Sequence, residues 1–119
     1  PEIEISVDAV RKPTFVVLAD GSVRNTYEMR LRNKNGEPRL FRVHVNGDLR
    51  LHLALEGTPY HAIEVPADET MKVRVYVVAP GSSTPAHIDE TPIRFWVEEL
   101  GNGDRAYKNS HFNGKGNGS

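Results

Sequence analysis

The sequence predicts an all-β fold, a Greek-key sandwich of seven to eight short strands with immunoglobulin-like proportions. Three observations carry that reading. Apolar and polar residues alternate with a period of two through most of the chain, so one face of each extended segment can be buried. Turn signals such as Asp20-Gly21, Asn35-Gly36 and Asn46-Gly47 recur about every ten residues. No stretch sustains the 3.6-residue apolar period of an amphipathic helix. A small barrel is the second fold that fits.

Each element follows in order. Ile3, Ile5 and Val7 alternate with Glu4, Ser6 and Asp8, and Pro13 interrupts before Phe15 to Leu18 resumes. Proline cannot donate to a ladder, so this broken strand belongs at a sheet edge. Val23 to Asn33 is next, with Tyr27, Met29 and Leu31 on one face and Glu28, Arg30 and Arg32 on the other. Phe41, Val43 and Val45 point inward on the following strand, with Arg42 and His44 outward. Asn46-Gly47-Asp48 reads as a tight turn, and Leu49, Leu51, Leu53 and Leu55 then repeat at period two. Ile63 and Val65 form a short strand. Met71, Val73, Val75 and Val77 mark the clearest strand of all. A Pro/Gly/Ser loop follows from Ala79 to Pro85. Ile93, Phe95 and Val97 precede a hairpin at Leu100 to Asp104, and Arg105 to Phe112 is the last strand. The sandwich is therefore expected over residues 1–112, with a flexible, glycine-rich tail over 113–119.

With 119 residues the chain can hold one domain, which at that size buries roughly two-thirds of its unfolded surface. It contains no cysteine, which excludes a disulfide, a thiolate metal site, an iron–sulfur cluster and a cysteine nucleophile within it. The core must then be built from Val, Leu, Ile, Phe and Met. The 15 basic and 16 acidic residues give a net charge of −1, without the basic excess expected of a nucleic-acid binder. No apolar run approaches the ~20 residues a membrane helix needs. The chain opens at Pro1 already inside a strand pattern, as expected of a fragment of a longer protein.

The residues also carry a family resemblance. The pattern Arg11-x-Pro13-x-Phe15-Val16-x-Leu18-x-Asp20-Gly21-x-Val23-Arg24-Asn25-x-Tyr27, then Leu31-x-Asn33-Lys34, resembles the C-terminal domain of the FixG/CcoG family of cytochrome c oxidase accessory proteins. Val65-Pro66-Ala67-Asp68, the run Val73-x-Val75-x-Val77-x-Ala79-Pro80, and the closing strand to His111-Phe112 are similar to it as well. The resemblance implies a parent anchored in the bacterial inner membrane by several spans. That parent carries a ferredoxin-like segment with two 4Fe–4S clusters. It assists maturation of cbb3-type oxidase, with copper reduction as its proposed chemistry. This stretch would be its periplasmic, non-catalytic immunoglobulin-like tail, monomeric in isolation. It would dock oxidase subunits or other assembly factors. With no cysteine and no membrane span it cannot carry that redox chemistry, so neither a cofactor in this domain nor enzyme activity is expected.

Several residue groups invite a site, and each has a plain surface role as its alternative. His44, His52, His61, His87 and His111 raise a copper-handling alternative. His44 and His52 would form a diagonal cross-strand pair if Asn46–Asp48 were a hairpin tip, beside Arg42. Two imidazoles beside an arginine make an incomplete site, so solvated histidines are the favoured reading. Neither G-x-S-x-G nor H-E-x-x-H occurs. Asp89-Glu90 and Glu98-Glu99 are adjacent in extended chain, face opposite ways, and read as surface charge. Trp96 alternates against Ile93, Phe95 and Val97 and is expected outward beside Arg94, near Arg42 and His44. Aromatic–arginine patches of this kind are typical of partner contacts. Arg30, Arg32, Lys72 and Arg74 would form a second, basic stripe, neutralised by Glu4, Asp8 and Glu64; contact with anionic headgroups is its alternative role. A generic adhesive or structural module is the remaining functional class.

Overall fold

Two antiparallel sheets pack face to face in the computed structural model, which describes residues 3–116. The strands are β1 (Ile3–Ala9), β2 (Val16–Val17), β3 (Val23–Asn33), β4 (Arg39–Asn46), β5 (His52–Leu55), β6 (Ala62–Val65), β7 (Thr70–Ala79), β8 (Glu90–Glu99) and β9 (Arg105–Asn113). A single helical turn, α1 (Thr84–His87), sits between β7 and β8. One sheet has the order β1-β3-β7-β5, with β2 also paired to β3; the other has the order β6-β4-β8-β9. From β3 to β8 the chain changes sheet at every connection, whereas β2–β3 and β8–β9 close as hairpins within one sheet. The fold is the all-β immunoglobulin-like sandwich that the alternation predicts. It has nine strands among the described residues rather than seven or eight, because the proline-broken edge strand counts as two.

The core follows the period of two. Val23, Tyr27, Met29 and Leu31 of β3 are buried in one cluster with Val73, Val75 and Val77 of β7, Phe41 and Val43 of β4, and Phe95 and Val97 of β8. Each such aliphatic or aromatic side chain contributes about 1.5–3 kcal/mol on burial. Tyr27 adds a polar handle that the aliphatic expectation lacked. Its ring meets Phe95 edge-on at 4.8 Å, and its hydroxyl donates to the His111 carbonyl at 2.7 Å. Burial pushes the phenol above its ordinary range, so it stays a neutral donor.

Two buried asparagines join the layers. The Asn25 carboxamide donates to the Asn113 carbonyl of β9 at 2.8 Å and accepts the Asn113 N–H at 2.7 Å. At the other end of β3, the Asn33 amide reaches the carbonyls of Glu37, Val65 and Pro66, and its oxygen accepts the Asn35 N–H. A buried carboxamide without partners is costly, so these bonds tie β3 to both outer strands of the opposite sheet. At the start of β3, the Ser22 hydroxyl and then its N–H bind the Asp20 carboxylate, lowering its pKa and closing the Asp20-Gly21 turn.

Several expectations need correction. Asn46-Gly47-Asp48 is not a hairpin tip. Gly47 runs against Pro92 and Ile93 of β8, where a Cβ would meet Ile93 Cγ2 at 3.1 Å. Asp48 then turns the chain by accepting the N–H groups of Arg50 and Leu51, and the chain leaves for the opposite sheet. Leu49 stands fully exposed in that turn instead of joining Leu51, Leu53 and Leu55. Glu99 is not surface charge. It is 4% exposed, and its two carboxylate oxygens accept the Gly101 and Asn102 N–H groups at 2.8 and 2.6 Å. An inward carboxylate is tolerated because the hairpin it precedes supplies the donors. Glu64 lies on β6, in the sheet opposite the basic stripe it was expected to neutralise.

The chain beyond Phe112 is also tied down as far as it is described. β9 includes Asn113, the Gly114 N–H donates to the Asp89 carbonyl, and the Lys115 N–H donates to the Ala86 carbonyl of α1. Gly114 and Gly116 are buried. The rest of the expected tail, residues 117–119, lies outside the described residues.

Candidate functional site

The outward side chains of β4, β8 and β9 form one continuous surface. Register places His44 opposite Trp96, and Trp96 opposite Tyr107. The three rings make a row across the strands: His44 stacks on Trp96 with centroids 6.4 Å apart, and Trp96 meets Tyr107 at 5.0 Å. The neighbouring rows are Arg42–Glu98–Arg105 on one side and Asn46–Arg94–Asn109 on the other. Arg94 lies over the Tyr107 ring at 4.1 Å and the Trp96 ring at 5.8 Å, and Arg105 lies over the Trp96 ring at 4.6 Å. The expected grouping of Trp96, Arg94, Arg42 and His44 on one face is therefore what the register produces. Tyr107 and Arg105 of β9 complete it. They were missed because the last strand was read only as an element, although its parity with Phe112 places both outward.

Electrostatics follow from this packing. Desolvation against Trp96 lowers the His44 pKa below its ordinary value of 6.5, with Arg105 and Arg42 pushing the same way and Glu98 opposing. His44 is accordingly neutral near pH 7. A depressed folded-state pKa means the unfolded chain binds more protons below 6.5, so stability is lost as pH falls through that range. Urea midpoints at about pH 8 and about pH 5 are expected to fall less in His44→Gln than in the parent sequence. An equal fall in both would sink the assignment.

The remaining histidines do not converge. His44 and His52 sit on different sheets, so the diagonal pair does not exist. His61 precedes β6, His87 contacts the Gly81 carbonyl at 2.6 Å, and His111 stands 3.9 Å from Glu90. Among the described residues no group of three or more His, Cys, Asp or Glu could hold a metal ion. The three arginines of the basic stripe on the other sheet have partners, while Lys72 of that stripe stands exposed. Arg30 is 3.4 Å from Glu28, Arg74 is 3.5 Å from Glu56, and Arg32 donates to the Asp68 carbonyl.

Residues 1–115 match the family described as "IG-like fold at C-terminal of FixG, putative oxidoreductase". The chain belongs to the FixG C-terminal domain family. Protein RdxB of Cereibacter sphaeroides is 46% identical over 115 residues, which cover 97% of this chain and 24% of RdxB. Protein RdxA of the same organism is 43% identical over 101 residues, covering 85% of this chain and 22% of RdxA. The FixG domain thus spans about a quarter of the length of these relatives. The crystal structure of a FixG-related protein from Vibrio parahaemolyticus has the same fold, with a TM-score of 0.79 at 22% identity over 97% of this chain and 98% of that one. The residues that carry the FixG signature here, Asp20, Gly21, Asn25, Tyr27 and Asn33, are the turn, inter-sheet and core positions described above. They specify the FixG domain's architecture rather than a reactive centre. An iron–sulfur cluster needs thiolate ligands, and the chain offers none, so these residues do not fit one.

Proposed function

We propose that this is the periplasmic, non-catalytic tail of a membrane-anchored FixG/CcoG-type accessory protein for cbb3-type oxidase assembly. In this reading it docks an oxidase subunit or another assembly factor through the outer face of β4, β8 and β9. Family membership supports the parent assignment. The observation that carries the docking role is the His44–Trp96–Tyr107 row with its arginines, an aromatic and cationic composition enriched where proteins bind proteins. No nucleophile–base pair accompanies it, and iron–sulfur chemistry would belong to cysteine-bearing segments of the parent.

The test uses the full-length parent in its bacterium. Deleting the domain, or introducing Tyr107→Ala with Arg42→Gln, is expected to reduce the cbb3 haem signal in membranes severalfold while the parent's own level holds. Full oxidase assembly with the domain deleted would overturn the proposal.

A further inference from the structure

The arginines of this face differ from those of the basic stripe. On the opposite sheet Arg30, Arg74 and Arg32 are engaged by Glu28, Glu56 and the Asp68 carbonyl, while Arg24 lies over the Tyr76 ring. Among the described residues, Arg42, Arg94 and Arg105 have no carboxylate within 4.0 Å, and the one side-chain hydrogen bond of the three runs from Arg94 Nε to Asn109 Oδ1 at 2.8 Å. That bond, with the stacking on Tyr107 and Trp96, fixes the Arg94 fork while its terminal nitrogens have no acceptor among the described residues. Arg105 is held on the other side of Trp96 by stacking alone. A guanidinium stacked on a ring has already lost much of its rotamer freedom, so it binds a carboxylate at lower entropic cost than a free arginine would.

A shallow depression of about 320 Å³ opens beside Arg94, lined by Asn46, Gly47, Pro92, Ile93 and Asn109. Gly47 leaves it without a side chain at that point. The depression has room for a side chain whose terminal group would meet Arg94. The acids on this face are Glu98, set between Arg42 and Arg105, Glu64 on the far strand opposite Leu40, and Glu90 at the other end of β8, 3.9 Å from His111. The ring row is thus flanked by three cations and one anion.

From this juxtaposition we propose that the β4–β8–β9 face binds an acidic protein segment. One carboxylate side chain sits in the depression on Arg94, a second sits on Arg105, and an apolar or aromatic side chain lies on Tyr107. The inference rests on the docking reading above and names the chemistry of the partner. A membrane of anionic lipid fits less well. Arginines flank the Trp96 ring, and the exposed Tyr107 and Leu40 stand apart on β9 and β4 instead of forming one apolar wedge to insert. A net gain of two charges adds only about 2 kcal/mol at a lipid surface, and the chain as a whole is at −1.

The test is a nitrogen-15 NMR titration of the 119-residue chain with a synthetic peptide of alternating Glu and Tyr, and with its Gln-for-Glu counterpart. Saturable shifts are expected first at the Trp96 indole and at the Arg94 and Arg105 Nε resonances, with the acidic peptide alone. Arg94→Gln with Arg105→Gln should weaken binding about tenfold, and added salt should weaken it further. Arg30→Gln with Arg74→Gln should leave it unchanged, and urea midpoints check that both pairs fold. Equal binding of the Gln peptide, shifts centred on Arg30 and Arg74, or undiminished binding to the Arg94/Arg105 variant would each overturn the proposal. So would sedimentation with phosphatidylglycerol vesicles that depends on Arg94 and Arg105 while the peptide fails to bind. Failure of the titration while domain deletion still impairs oxidase assembly would remove the acidic segment and leave the docking role. Full assembly without the domain would remove the docking role itself.

Discussion

Tyr27→Ala is expected to destabilise the domain by about 3–5 kcal/mol, a large share of the roughly 5–15 kcal/mol that holds a domain of this size together. Three losses combine. The ring is fully buried and packs on Phe95 at 4.8 Å, so truncation opens a cavity between the sheets. The hydroxyl bond to the His111 carbonyl disappears, leaving that acceptor without its side-chain donor. The weaker contact from the hydroxyl to Asn25 Oδ1 at 3.3 Å goes with it. Tyr27→Phe keeps the ring and should cost only about 1–2 kcal/mol, which separates packing from hydrogen bonding. Urea unfolding followed by the fluorescence of the single tryptophan, Trp96, measures both. A Tyr27→Ala variant within about 1 kcal/mol of the parent would contradict this account of the core.

Gly114→Ala should be nearly as damaging, at about 2–3 kcal/mol, although composition places it in a polar, glycine-rich ending. A methyl group there would run into the carbonyl oxygens of Pro85 and Ile88, which are backbone atoms and cannot swing aside. Relief would require moving α1 or breaking the Lys115–Ala86 hydrogen bond. Gly36→Ala is the matched comparison. Nothing lies within 4 Å of a Cβ at that position, so a change within about 0.5 kcal/mol is expected. Thermal and urea unfolding of the two variants side by side decide the matter. Equal stability would mean that residues 114–116 are not packed as described.

Strand positions and faces were legible because a period of two leaves little freedom: β3 starts and stops at Val23 and Asn33 as read, and Trp96 faces outward beside Arg94. Partnership between strands was less legible. Asn46-Gly47-Asp48 has the composition of a hairpin turn, and alternation in β5 looks the same whether it pairs with β4 or crosses to β7. Only the approach of Gly47 to Ile93 distinguishes them, and that contact is tertiary. Glu99 was misread for a related reason. Its parity with Val97 pointed inward, but a carboxylate inside needs donors that only the folded hairpin supplies. Asn25 and Asn33 were readable in principle, being polar residues on the apolar side of β3. The site divided likewise: Trp96, Arg94, Arg42 and His44 came from parity, whereas Tyr107 and Arg105 required the pairing of β9 with β8.

Hydrophobic alternation cannot tell one alignment of β3 from another displaced by two residues, since both bury the same kind of side chain. The carboxamides at its ends can. A slide of that size would carry Asn25 away from Asn113 and Asn33 away from Val65 and Pro66, stranding two buried carboxamides. The asparagines act as a ruler with two marks, set eight residues apart, against which each layer is measured by the other. They reject misaligned sandwiches that greasy contacts alone would accept.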